Sequence, residues 1–151
     1  MKQVIIFSNC DQNFALDIAR IERIIEYTTP KKVPETAEFL KGVIPYNGQV
    51  LPIIDLNRRL YGVNAQDSEK AKVIVISWNG TFLGLMVDEV LGIRNLEETA
   101  FEDAALGDGR LSREYVRGFI KTGEDLIIHL DTDRLFDFRQ TEEILALDTP
   151  Q

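Results

Sequence analysis

Apolar residues in this chain fall into short runs separated by turn signals. Residues 2–7 and 72–78 are nearly continuous runs rich in Val and Ile, the pattern of strands covered on both faces. Phe14-Ala15-Leu16-Asp17-Ile18 alternates, which places Phe14, Leu16 and Ile18 on one face of a strand. Asn79-Gly80 and Asn47-Gly48 each separate two such runs. Asn-Gly suits the type I′ hairpin turn, whose two central residues both need φ > 0. Thr122-Gly123-Glu124-Asp125 precedes the run Leu126-Ile127-Ile128-His129-Leu130 in the same manner. Three such hairpins predict barrels or sandwiches of short antiparallel strands. Residues 19–26 read equally as a short helix or an irregular strand, because Ile18, Ile21, Ile24 and Ile25 follow a three-to-four spacing. A helix of one or two turns is expected over 34–40, and a longer one over 133–146. The longer helix would be capped by Asp131 or Thr132 and carry an apolar stripe of Leu135, Phe138 and Leu145. Residues 97–113 form the longest predicted loop.

The pattern runs twice. Val4-Ile5-Ile6-Phe7, followed by residues 14–24, recurs 69 positions later as Val73-Ile74-Val75-Ile76 and residues 83–93. Gly42-Val43-Ile44, residues 50–54 and Asp55 recur 76 positions later as Gly118-Phe119-Ile120, residues 126–130 and Asp131. One insertion of 7 residues reconciles the two offsets. A period near 70 is too long for a solenoid repeat or a propeller blade. The expected fold is therefore all-β with a few short helices, built from two half-modules at approximately 1–70 and 71–151. No low-complexity linker separates the halves, so they should pack together.

Composition narrows the class. A chain of 151 residues buries roughly 68–70% of its unfolded surface and needs no disulfide or metal staple. The single cysteine, Cys10, excludes an intramolecular disulfide and fits a reducing compartment. The sequence has neither a signal-peptide pattern nor a run long enough to span a membrane, so a soluble, cytoplasmic protein is expected. Net charge is −8, unevenly placed: residues 1–60 carry 8 Lys/Arg against 7 Asp/Glu, and residues 61–151 carry 9 against 18. An acidic second half would repel phosphate backbones, which argues against nucleic-acid binding.

Candidate chemistry is sparse. His129 is the only histidine and lies inside an apolar run, so a hydrogen-bonded strand histidine is expected. Cys10 sits in a polar turn, and a Cys–His nucleophile would require the fold to bring Cys10 to His129. Zinc-ligand spacing is absent. Asp131-Thr132-Asp133 lacks the remaining ligands of a calcium loop, and Gly107-Asp108-Gly109 reads as a turn. Glu97-Glu98 and Glu102-Asp103 read as solvated loop acids. No catalytic, cofactor or metal site is expected, which leaves protein binding through edge strands and grooves.

The order of motifs resembles the CheW family. The resemblance rests on Phe14-Ala15-Leu16-Asp17-Ile18, then residues 39–44 and Val50-Leu51-Pro52-Ile53-Ile54-Asp55-Leu56. It continues in Gly84-Leu85-Met86-Val87-Asp88-Glu89-Val90, Glu114-Tyr115-Val116-Arg117-Gly118 and residues 126–130. It covers about residues 3–147. The resemblance implies two five-stranded SH3-like barrels with a C-terminal helix, strands being open to exchange between the halves. It further implies a non-enzymatic adaptor, monomeric when isolated and recruited to membrane-associated arrays without inserting into the bilayer. Such an adaptor couples the cytoplasmic tips of chemoreceptors to the regulatory domain of the histidine kinase CheA. Ile21, Arg23, Ile24, Gly42, Asn47, Gly48 and Val87 are the partner-binding positions it implies. The family usually carries Asn-Leu-Arg-Gly where this chain has Pro45-Tyr46-Asn47-Gly48, and often Arg where it has Asn57. Two cations are thereby lost from the first half. A CheW-like adaptor of another chemosensory system, such as one governing pilus motility, is the alternative, and a small ligand-binding or hydrolytic barrel using Cys10 and His129 the more distant one.

Overall fold

Strands dominate the computed structural model, which describes residues 1–103 and 114–147. In chain order they are β1 (Lys2–Asn9), β2 (Gln12–Asp17), β3 (Ile21–Glu26), β4 (Leu40–Tyr46), β5 (Gln49–Asp55), β6 (Lys72–Trp78), β7 (Thr81–Val87), β8 (Glu89–Leu96), β9 (Phe101–Asp103), β10 (Val116–Thr122) and β11 (Asp125–Leu130). Two helices join them, α1 (Leu56–Tyr61) and α2 (Phe138–Ala146). One sheet runs β8-β1-β2-β11-β10-β9, the other β3-β6-β7-β5-β4. These are the two SH3-like barrels that the motif order implies, one of them extended by the short β9.

The pairing follows the repeat. β1, β2, β3, β4 and β5 correspond to β6, β7, β8, β10 and β11. Each sheet takes its first hairpin from one copy and its next three strands from the other. The joints match: β1 pairs with β8 and β3 with β6, both antiparallel, while β2–β11 and β5–β7 are parallel. Irregularities recur as well. β4 slips between Leu40 and Gly42, and β10 between Val116 and Gly118. Against β6 the register of β3 skips Glu22, and against β1 that of β8 skips Leu91, 69 positions on.

Hairpin exchange explains why β1 and β6 are apolar on both faces. Ile5 and Phe7 of β1, Phe14 and Leu16 of β2, Ile74 and Ile76 of β6, and Leu83 and Leu85 of β7 belong to one core shared by the two barrels. The intervening residues fill private cores: Val4, Ile6 and Ala15 with Ile120 and Ile127 in one barrel, Val73, Val75 and Met86 with Leu51 and Ile53 in the other. The ambiguous 19–26 segment is a 3₁₀ turn, Ile18–Arg20, leading into β3. Asn47 and Asn79 adopt φ 48°, each followed by a glycine at φ 76°, as the Asn-Gly signals predict.

Helix predictions need three corrections. Residues 34–40 form turns rather than a helix before β4 begins; the positive φ of Glu35 interrupts the helical path. α2 starts five residues later than expected. Its cap is Asp137, which accepts from the Gln140 N–H while the Gln140 side chain accepts from the Asp137 N–H, a full capping box. Asp131 caps only the preceding 3₁₀ turn, Thr132–Arg134. Leu135 is buried, but Phe138 is 81% exposed at the first turn of α2, and Ile144 takes its place in the core. Phe138→Ser should therefore shift stability by no more than about 0.5 kcal/mol in urea unfolding. The sequence reading missed α1, whose cap is Asp55, accepting from the Arg58 N–H at 3.1 Å. Of the predicted loop at 97–113, residues 97–103 hold a 3₁₀ turn and β9; the rest, Gly107-Asp108-Gly109 included, lies outside the described residues.

Candidate functional site

β3 and β8 are the outermost strands of their sheets on one side of each strand order. On β3, Ile21 is half-buried against the shared core, Arg23 is exposed, and Ile24 is 37% exposed. The 69-residue offset maps Ile21 onto Val90 and Ile24 onto Ile93. Val90 is likewise half-buried against the shared core, and Ile93 is 59% exposed, beside Leu91 at 49%. The β8 residues were missed from sequence, although the repeat offset that finds them was already visible. Met1, Val50, Tyr61, Val63, Leu126 and Phe138 are also exposed, so exposure alone does not single out these residues. Their equivalent places on two edge strands do, and edge strands bearing apolar residues offer both side-chain contact and unpaired backbone groups.

The remaining predicted positions divide into surface and support. Asn47 and Gly48 are exposed at the tip of the β4–β5 hairpin, at the opposite end of the strand order from β3. Gly42 is buried: at φ 147°, any Cβ would lie closer than 3.0 Å to the Lys31 carbonyl. Val87 is fully buried in the shared core at the end of β7. Neither offers a side-chain surface to a partner: Gly42 permits a close backbone approach and Val87 fills the core.

Asp88, next to Val87, anchors the junction of the barrels. Its Oδ1 accepts from Asn57 Nδ2 at 2.8 Å, and its Oδ2 accepts from the Cys10 N–H at 2.9 Å. Asn57 Oδ1 in turn accepts from Asn9 Nδ2 at 2.6 Å, and both asparagines are buried. This chain of amides joins the end of β1, the start of α1 and the entry to β8. Asn57, which stands where the family often has Arg, is an interior hydrogen-bonding residue. Two ion pairs flank β3 on the surface: Lys72 Nζ lies 3.1 Å from Glu26, and Arg20 contacts Asp133.

The arrangement does not support nucleophilic catalysis. His129 is buried on β11 and its Nε2 lies 2.9 Å from Asp17 Oδ1, whereas Cys10 sits in the β1–β2 turn with its N–H on Asp88. The Cys10 side chain reaches the surface. Partial burial, followed by the carboxylates of Asp88, Asp11 and Asp55, nonetheless raises its thiol above the ordinary range, the opposite of an activated nucleophile. Among the described residues no group of three or more His, Cys, Asp or Glu gathers to hold a metal ion, and no helix is long and apolar enough to cross a membrane. One cleft of about 690 Å³ is open to solvent, its lining mixing Lys32, Glu35, Glu38 and Arg58 with Val33, Pro34 and Leu40. It lacks the predominantly apolar wall of a small-ligand site.

Comparison with known proteins agrees with this geometry. Residues 3–140 match the family model described as CheW-like domain. The chemotaxis protein CheW of Thermotoga maritima is 29% identical over 137 residues, spanning 89% of this chain and 87% of that protein. The Bacillus subtilis chemotaxis protein CheW is 24% identical, spanning 90% and 87%. Among solved structures, the scaffolding protein TtCheW from Thermoanaerobacter tengcongensis superposes with a TM-score of 0.82 at 28% identity, covering 92% of this chain and 94% of that one.

Proposed function

The chain belongs to the CheW-like family, and from that premise we propose that it is a non-enzymatic adaptor of bacterial chemotaxis, coupling the cytoplasmic tips of chemoreceptors to the regulatory domain of the kinase CheA. The observation that carries this reading is the pair of equivalent apolar edges, Ile21/Ile24 on β3 and Val90/Ile93 on β8. A receptor tip is a helical hairpin, and an amphipathic helix docks through apolar anchors spaced along one face. Two edges related by an internal repeat suit a partner that itself presents two similar helices. The protein works in the cytoplasm, at receptor arrays it does not enter through the bilayer. Its relatives named as chemotaxis proteins favour this output.

Asn47 favours a second reading in one respect. Where the family usually has Arg, the short amide fits the type I′ turn at φ 48° but cannot form a charge-assisted contact. An adaptor whose array drives another output, with altered partner choice, would differ there.

Titration calorimetry with a receptor-tip fragment and with the CheA regulatory domain tests the proposal. Binding of both is expected; binding of neither, by folded protein, would reject it. Asn47→Arg is expected to raise affinity for one of these partners several-fold through a restored charged contact, without loss of stability beyond about 1 kcal/mol for replacing Asn at φ > 0. Unchanged affinity for both would remove the turn from the interface.

A further inference from the structure

The two barrels close on their borrowed hairpins by parallel seams that the repeat makes directly comparable. In the five-stranded sheet, β5 meets β7 through Ile53↔Gly84, Ile54↔Leu85 and Asp55↔Met86. In the six-stranded sheet, β11 meets β2 through only Ile128↔Phe14 and His129↔Ala15. The offsets of 76 and 69 map His129 onto Ile53 and Asp17 onto Met86. Ile53 and Met86 are buried together in the private core of their barrel. Their equivalents, His129 and Asp17, meet at 2.9 Å in a polar contact. One copy closes its seam with hydrocarbon; the other closes it with an imidazole and a carboxylate.

The polar contact is built in, not incidental. His129 is 4% exposed, and its ring packs edge-on against Phe101 of β9 at 5.4 Å between centroids. Because a carboxylate only accepts hydrogen bonds, His129 Nε2 is the donor to Asp17 Oδ1. Arg117 of β10 approaches the other carboxylate oxygen at 3.5 Å, and Lys2 of β1 lies over the Phe101 ring at 5.0 Å. The groups facing Asp17 are therefore His129, Arg117 and Lys2, all donors or cations. Asp17 is the last residue of β2, immediately before the 3₁₀ turn that carries the chain into the other barrel. It stands where the exchanged hairpin leaves its host.

We propose that Asp17 and His129 form a protonation-sensitive latch that holds the β1–β2 hairpin in the six-stranded sheet, a device that the β5–β7 seam does not have. The His129 hydrogen bond, aided by the charges of His129, Lys2 and Arg117, holds the Asp17 carboxyl below its ordinary range despite partial burial. A carboxyl whose folded value is depressed contributes stability that is fully present above its unfolded value. That contribution is lost as the pH falls through the folded value. Protonated Asp17 would offer a hydroxyl in place of the full charge that Arg117 and His129 now face. With only two register pairs behind it, this seam should open first. β1 also carries β8 along its other edge, so opening would loosen the strand bearing Leu91 and Ile93.

Hydrogen exchange read by mass spectrometry on the intact protein tests this, with the two seams compared at each pH so that the intrinsic pH dependence of exchange cancels. Between pH 7 and pH values below the carboxylate range, protection of β2 and β11 is expected to fall about tenfold more than that of β5 and β7. Asp17→Asn should bring the neutral-pH protection of β2 and β11 down toward the acid value. The double substitution Asp17→Met with His129→Ile, which copies the apolar seam, should make the two seams respond alike. Equal loss of protection at both seams in the wild-type protein would overturn the latch. That comparison stands even if a substituted chain fails to fold.

Discussion

Gly118→Ala is expected to lower stability by roughly 3–5 kcal/mol, placing it in the exceptional tail of single substitutions. At this position β10 runs so close to β9 that a Cβ would lie closer than 3.0 Å to the Glu102 carbonyl and to Asp103 Cα. Both obstacles are backbone, so no side chain can rotate away, and relief requires the strands to separate where Gly118 pairs with Asp103. Gly42→Ala meets the same obstruction from the Lys31 carbonyl, with the added strain of φ 147°. Lys31 forms a bridge with Val43, as Glu102 pairs with Phe119 in the other copy. Urea unfolding read by far-UV circular dichroism measures both substitutions. A loss below about 1 kcal/mol, no more than an average substitution costs, would contradict the close strand approach. Because Gly42 belongs to this structural class, lost partner binding in its variants would report misfolding and not a missing contact.

Phe7→Ala comes next, with an expected loss of roughly 3–5 kcal/mol for a large aromatic removed from a core. Phe7 is fully buried and stacks on Phe14 with centroids 5.9 Å apart. Both rings sit in the core shared by the barrels, beside Ile74, Ile76, Leu83 and Leu85 of the other exchanged hairpin. The cavity therefore opens between the barrels and not inside one of them. A single cooperative transition, shifted as a whole, is the expected result whether followed by circular dichroism or by the fluorescence of Trp78, which lies in the same core. Two separated transitions would mean that the barrels stand independently and that the exchange binds them less tightly than the packing implies.

Much of this architecture is legible in the chain because each hydrophobic run has one clear period or none. The apolar residues of β1 and β6 face a core on either side, and the Asn-Gly pairs fix two hairpin turns. The repeat carries further than its low identity suggests, since bulges, joints and buried glycines of the two copies fall at the same offsets of 69 and 76. Asp55 and Asp131 even donate their N–H groups to the equivalent carbonyls of Phe39 and Tyr115, at 2.6 and 2.7 Å. What could not be read was whether a half folds on itself or lends its hairpin, because both arrangements satisfy the same alternation.

Helices were less legible than strands. α1 is 6 residues long, too short for an amphipathic period to declare itself. In the C-terminal segment a 3₁₀ turn, Thr132–Arg134, precedes Leu135 and took it out of the expected stripe. The candidate site was legible in part. Ile21, Arg23, Ile24, Asn47 and Gly48 lie wholly or partly at the surface, whereas Gly42 and Val87 do not. Val87 gave no warning because an aliphatic residue ending a strand reads the same whether its face is covered or open. Ile93 and Leu91 were hidden for the same reason, until the repeat and the exposure of β8 are taken together.

An adaptor of the proposed kind would dock its partner on β3 and β8 together. Titrating one receptor-tip fragment into wild-type protein, Ile24→Glu, Ile93→Glu and the double variant tests it most directly. Both side chains are substantially exposed, so each variant should stay folded with unfolding midpoints near wild type. Each single substitution is expected to weaken binding about tenfold, equivalent to ~1.4 kcal/mol, and the double variant further still. Wild-type affinity in the folded double variant would contradict the account.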